Sequence, residues 1–238
     1  MSLRGNYKNY ISLGYFCSVA MELERIGLRS ASYPFDWLVT QDMSQVVKMV
    51  ETHFDGFLDP VALRPLSGQN RIYVNSETGF QFVHDFNETQ TFGEQYHEVL
   101  EKFERRIDRF YHDIQEPTLF LRYISDEKKD GDGVMSDLRW IEKNHSHIIE
   151  ILKSYNPDND VIWIANSSLR SDVIEKIYHV EKDENDTVAR RPLDKNEALR
   201  ELLMNAEYPD RSQNLQIYRS KQKKKNSIIN RIRHKLKL

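Results

Sequence analysis

Two short runs constrain the fold more than any other part of the chain. Thr118-Leu119-Phe120-Leu121-Arg122-Tyr123 and Val161-Ile162-Trp163-Ile164-Ala165 are almost continuously apolar, and each follows a long helical pattern. A strand apolar on both faces has to be covered on both faces, which is the condition of a parallel sheet flanked by helices. Tyr10 to Leu13 supplies a third such run, broken by Gly14. The helices between are legible from their period. Val99, Phe103, Ile107, Phe110 and Ile114 form an apolar stripe over Tyr96 to Ile114, and Pro117 ends it. Helices are also expected over Ser18 to Ile26, Asp42 to Phe54 and Leu138 to Tyr155. Arg71 to Asn75 and Gly79 to Val83 read as a hairpin turned at Ser76-Glu77-Thr78. The expected class is α/β, a mostly parallel sheet flanked by helices with a small antiparallel hairpin. A papain-like α+β arrangement is the alternative.

The 238 residues suit one α/β domain over residues 1–218 and a tail over residues 219–238. The net charge of −3 conceals an asymmetry: from Arg211 to Leu238 there are ten Lys or Arg and no Asp or Glu. Ser227 to Leu238, with Ile228, Ile229, Ile232 and Leu236 among its bases, reads either as a disordered solubilising tail or as an amphipathic element for an anionic membrane surface. Nucleic acid is disfavoured, since no aromatic residues are interleaved with those bases. The single cysteine excludes an internal disulfide and suits a reducing compartment. Neither a signal peptide nor a spanning segment is visible, so the expected location is cytoplasmic, or peripheral at the inner face of a membrane. No metal-ligand, G-x-G-x-x-G or Walker pattern occurs, and no cofactor is expected.

That cysteine, Cys17, lies where the first strand turns into the first helix. A helix N-terminus lowers a thiol pKa, which would suit a nucleophile, while a small buried hydrophobe is the plainer reading. A thiol nucleophile needs a base, and a base needs an orienting group. Among eight histidines, His84 is the best placed, at a strand end. Asp85 beside it and Asp36 in the loop Pro34-Phe35-Asp36-Trp37 are candidate orienters. For substrate the candidates are Tyr15, Phe35, Trp37 and Arg122, the arginine suiting an anionic group. Glu104-Arg105-Arg106 on the long helix reads first as a salt-bridged surface.

Ser12-Leu13-Gly14, Cys17, Gly27-Leu28-Arg29, Pro34-Phe35-Asp36-Trp37, His84-Asp85, Glu104-Arg105-Arg106 and Phe120-Leu121-Arg122, in this order, resemble the bacterial DUF1796 family, described as papain-like cysteine peptidases. The resemblance covers roughly Tyr10 to Ala165. It implies Cys17 as nucleophile and His84 as base, and a setting near surface-polysaccharide assembly. Papain-like enzymes usually carry a Gln shortly before the nucleophile, and none occurs in Tyr10 to Phe16. A buried strand running directly into the Cys turn suits an esterase or acyltransferase equally. Expected substrates are therefore a small molecule, a peptide or a glycan. A non-catalytic module for a glycan or nucleotide-sugar is the reading of a different class.

Overall fold

The computed structural model describes residues 6–67 and 69–235. In chain order these form β1 (Asn9–Ser12), α1 (Ser18–Arg25), β2 (Leu38–Val39), α2 (Met43–Glu51), β3 (Leu63–Leu66), β4 (Gln69–Asn75), β5 (Gln81–Phe82) and α3 (Phe92–Asp113). There follow β6 (Thr118–Tyr123), α4 (Ser136–Tyr155), β7 (Asp160–Asn166), β8 (Ile177–Val180), α5 (Pro192–Lys195), α6 (Glu197–Met204) and α7 (Arg211–Lys235).

The apolar runs pair as a four-stranded sheet, β1-β6-β7-β8, and every pair in it is parallel. Side chains alternate between its faces, so each strand serves two cores. Ile11, Leu13, Phe120, Val161, Trp163 and Ala165 face one core, shared with α2, α3 and α4. Tyr10, Leu119, Leu121, Tyr123, Ile162 and Ile164 face the other, shared with α1, α5 and α6. All six residues of β6 are buried, which is why its sequence shows no polar alternation. The parallel sheet decides for the first of the two expected architectures.

The expected hairpin of β4 and β5 is present and belongs to a larger antiparallel sheet, β2-β5-β4-β3. Leu38–Val39 and Leu63–Leu66 are too short to show alternation, and Pro65 argues against a strand except at an edge, where β3 lies. The helix α3 begins four residues earlier than the apolar stripe predicts, because Thr91 and Glu94 form a capping box there.

The basic C-terminal segment is helical from Arg211 onward and is fastened to the end of α1. Arg211 Nε donates to Ile26 O at 3.0 Å, Asn214 Nδ2 donates to Gly27 O at 3.2 Å, and Lys221 Nζ lies 2.8 Å from Glu24 Oε1. Gly27 is required at the crossing. Its φ is +77°, and a Cβ there would stand 2.8 Å from Arg211 O and from Leu215 Cγ. Among the described residues no helix is long and apolar enough to cross a membrane.

Candidate functional site

The turn that carries Cys17 is built by its neighbours. Gly14 and Tyr15 both have left-handed backbones, with φ of +81° and +51°. A Cβ on Gly14 would stand 2.4 Å from Thr40 Oγ1, so only glycine fits beneath that hydroxyl. Gly14 N–H donates to Ser12 Oγ at 3.1 Å, and Tyr15 N–H to Thr40 Oγ1 at 3.1 Å. Thr40 N–H returns a bond to Tyr15 O at 2.7 Å. A non-glycine residue held at positive φ stores strain, and here the bonds to Thr40 hold it.

Arg122 underlies this turn. It is fully buried; Nη1 donates to Leu13 O and Thr40 Oγ1, and Nη2 to Thr40 O and Asp137 Oδ2, at 2.7–3.1 Å. Asp137 in turn accepts Met43 N–H at 2.6 Å and Ser125 N–H at 2.9 Å. The guanidinium thus fixes the end of β1 and the Thr40 loop, and its four bonds go to protein groups in place of an anionic substrate. Tyr15, another expected ligand contact, is buried, and its hydroxyl donates to Glu127, which also accepts from Gln41.

Cys17 is the N-cap of α1, partly exposed. Met21 N–H is the first to bond within the helix, to Cys17 O. The N–H groups of Ser18, Val19 and Ala20 are those that a helix leaves without intrahelical partners. Burial pushes the thiol pKa up, against the pull of its own backbone N–H and of Arg190. The direction is opposite to the lowering expected from the helix terminus alone, because desolvation of the thiolate outweighs both attractions. Arg190 comes from the loop after β8, where its Nε pairs with Asp186 at 2.6 Å. A chain of hydrogen bonds borders the turn along the carboxyl ends of the strands. Ala189 N–H donates to Tyr123 Oη, Tyr123 donates to Asn166 Oδ1, and Asn166 Nδ2 donates to Asp126, which also pairs with Lys182. Ligands bind at this end of open α/β sheets. Neither Arg190 nor this chain was marked in the sequence; only the polar Asn166-Ser167-Ser168 after a buried strand hinted at it.

The remaining expected site residues gather elsewhere. His84 is exposed just after β5, its ring edge-on to Trp37 at 6.3 Å between centroids. Trp37 is partly exposed and has the Arg29 guanidinium 5.0 Å from its centroid. Asp36 is fully buried and accepts both Arg29 Nε and Nη2, at 3.0 and 2.7 Å, and Tyr33 N–H at 2.7 Å. Asp85 pairs with Lys102 at 2.8 Å. Neither aspartate bonds to His84. Phe35 lies in the core against Phe54, Phe80 and Phe110 and offers no surface to a ligand. Among the described residues no hydrogen bond joins Cys17 to His84. Arg29, which anchors the His84 group, reaches α1 at Glu24, 3.8 Å away. Glu24 is seven residues beyond Cys17, about 10 Å along a helix. The two groups of side chains therefore flank opposite ends of α1.

Residues 8–153 match DUF1796, the family described as "Putative papain-like cysteine peptidase". The match takes in β1 and nearly all of α4 and leaves out the Arg190 loop and α7. An uncharacterized protein of Acanthamoeba polyphaga mimivirus is 28% identical over 196 residues, which are 71% of this chain and 85% of that protein. That relative is viral, so the bacterial setting expected from the resemblance gains no support from it. No solved structure matches the chain.

Proposed function

The chain belongs to the DUF1796 family, and from that membership we propose that it is a cysteine hydrolase acting by acyl transfer at Cys17. The observation that carries the reading is the placement of a partly exposed thiol at the N-cap of α1, beyond the carboxyl end of β1. In the reaction the thiol proton passes to a base and Sγ bonds to the substrate acyl carbon. The resulting oxyanion accepts hydrogen bonds from free N–H groups at the start of α1. The bond from acyl carbon to nitrogen or oxygen breaks, and the leaving amine or alcohol takes the proton from the base. Water then hydrolyses the thioester and restores the thiol. Because burial raises the resting thiol, the base carries much of the activation. The reading assigns that role to His84, which has to approach Cys17 when substrate binds; β2 is the link, since Leu38 pairs with Phe82 and Thr40 bonds to Tyr15.

The test is turnover of p-nitrophenyl acetate and of a fluorogenic peptide-amide pool, with mass spectrometry of the quenched enzyme. An acyl adduct on Cys17, background rates for Cys17→Ser and a loss of roughly 10²–10⁴-fold for His84→Ala are expected. Turnover that survives Cys17→Ser refutes the nucleophile, and undiminished turnover in His84→Ala refutes the dyad. A second reading, a binding module for a glycan or nucleotide-sugar, is favoured by the partly exposed Trp37; under it Cys17→Ser keeps full cellular function. On either reading α7, with exposed Ile228 and Ile229 among its lysines, rests on an anionic membrane surface.

A further inference from the structure

Four of the sequence motifs that carry the family resemblance converge on one place outside the Cys17 turn. Arg29, Asp36 with Trp37, His84 with Asp85, and Arg106 come from separate segments and meet beside one face of α3. That face adds Lys102 and Arg109, spaced four and three residues from Arg106. Their charges do not balance. Three cations, Arg29, Lys102 and Arg106, contact two carboxylates, Asp36 and Asp85, and Arg109 donates to Ser32 O beside them. Glu24, 3.8 Å from Arg29, is already paired with Lys221.

The hydrogen bonds do not close either. Arg106 is 13% exposed, and its Nη1 stands 3.8 Å from Asp85 Oδ1, beyond hydrogen-bond reach, with no acceptor. Asp36 Oδ1 and Asp85 Oδ2 are buried without donors. Burial pushes the Arg106 guanidinium down while the two carboxylates hold it up. A buried polar network left half satisfied is costly, and the Arg106 Nη1 group, without an acceptor on a guanidinium held 4.8 Å over the Phe103 ring, is complementary to an oxyanion. The excess of positive charge on this face suits a phosphate monoester. The face is polar and reachable, with His84 exposed, Lys102 31% exposed and Trp37 partly exposed beside them.

We infer that the Trp37–His84 face is a binding site for the phosphoryl group of a small phosphomonoester, taken by Arg106 and Lys102. The site does not depend on Cys17 being a nucleophile. Binding draws Arg106 Nη1 onto a phosphoryl oxygen and leaves Arg29 on Asp36, where it holds the loop.

The experiment is calorimetric titration of the full chain at constant ionic strength with inorganic phosphate, a hexose phosphate, acetate and the unphosphorylated hexose. Vesicles containing phosphatidic acid test a lipid headgroup as the source. Saturable binding of phosphate and hexose phosphate is expected, at least tenfold weaker with acetate or hexose. Arg106→Gln and Lys102→Gln should each weaken phosphate at least tenfold, and Arg106→Lys should recover part of the loss. The His84 ring resonances should shift with phosphate in wild type and not in Lys102→Gln; because that change strands the buried Asp85 carboxylate, Lys102→Gln/Asp85→Asn, which leaves no stranded charge, is titrated beside it and should lose phosphate equally. Cys17→Ser should bind as wild type, whatever happens to its turnover. Absence of phosphate binding to wild type, unchanged affinity in Lys102→Gln and Arg106→Gln, or equal binding of hexose each overturns the site. Binding to vesicles alone overturns the small ligand.

Discussion

Replacing Arg122 with methionine isolates what the buried ion pair does for the Cys17 turn. The side chain is 0% exposed and its partner Asp137 has a side chain 2% exposed, so the lost charge cannot be replaced by water. Removing one member of a buried pair typically costs about 3–5 kcal/mol, most of it the uncompensated charge left behind. In a domain of this size about 1 kcal/mol moves Tm by roughly 2–4 °C, so the expected fall is roughly 6–20 °C. Asp137 keeps the N–H groups of Met43 and Ser125 as donors, which places the cost toward the lower half. Urea unfolding gives the free energy, and Arg122→Met/Asp137→Asn completes the cycle. Asparagine removes the stranded charge and keeps one acceptor oxygen, but its NH2 group faces one of the two N–H donors that Asp137 accepts on separate oxygens, so the double variant should recover only part of the loss seen in Arg122→Met. Iodoacetamide should label Cys17 faster in Arg122→Met, because Leu13 O and Thr40 O lose the arginine donors and Thr40 Oγ1 is left with Tyr15 N–H. A single variant within about 1 kcal/mol of wild type, or a double variant no better than the single, would refute the view that this pair holds the turn.

The thiol itself makes a pH prediction. A raised pKa moves the thiolate inflection to higher pH than the ~8.5 of a free cysteine, so Cys17 alkylation should still be rising at pH 9, and Arg190→Ala should move it further up by removing an attraction; a plateau by pH 8 contradicts this. Gly14→Ala places a methyl 2.4 Å from Thr40 Oγ1 at φ +81° and should cost at least about 1–3 kcal/mol in urea unfolding, with altered Cys17 labelling. Gly27→Ala should release α7 from α1, read as new amide exchange over 211–221, with the parallel sheet still protected. Co-sedimentation with anionic vesicles should be lost on truncation after Ser220, and equal binding of both chains would remove α7 from membrane contact.

The parallel sheet was readable because burial on both faces writes itself as uninterrupted apolar residues, and Thr118–Tyr123 coincides with β6. The second sheet was half readable. Its hairpin shows a turn, whereas β2 is two residues long and is set by pairing with β5, which no local pattern encodes. The segment after Asn166 was opaque for a similar reason: β8, α5 and α6 are short, and their apolar residues are scattered among charges. At the site, residue type suggested Arg122 for an anion, and only three-dimensional packing could show both Nη groups already bonded to protein oxygens. Residue chemistry and the family resemblance likewise joined Cys17 and His84 in one scheme, although the side chains around His84 reach α1 at Glu24, seven residues beyond Cys17. Arg190, 173 residues from Cys17, carries no local signal of that partnership.

The position of β1 at the edge of the parallel sheet has a consequence during synthesis. Among the described residues its only strand neighbour is β6, so Asn9 waits for Thr118, 109 residues later. At roughly 5–20 residues per second a ribosome needs roughly 5–20 s to supply that partner. Throughout that interval Gly14 and Tyr15 have no Arg122 beneath them, and Cys17 lacks the fixed turn that holds it in the finished fold. The residue on which the proposed chemistry rests is thus made well before the strand that fixes its turn, and gains its shelter only once β6 has emerged.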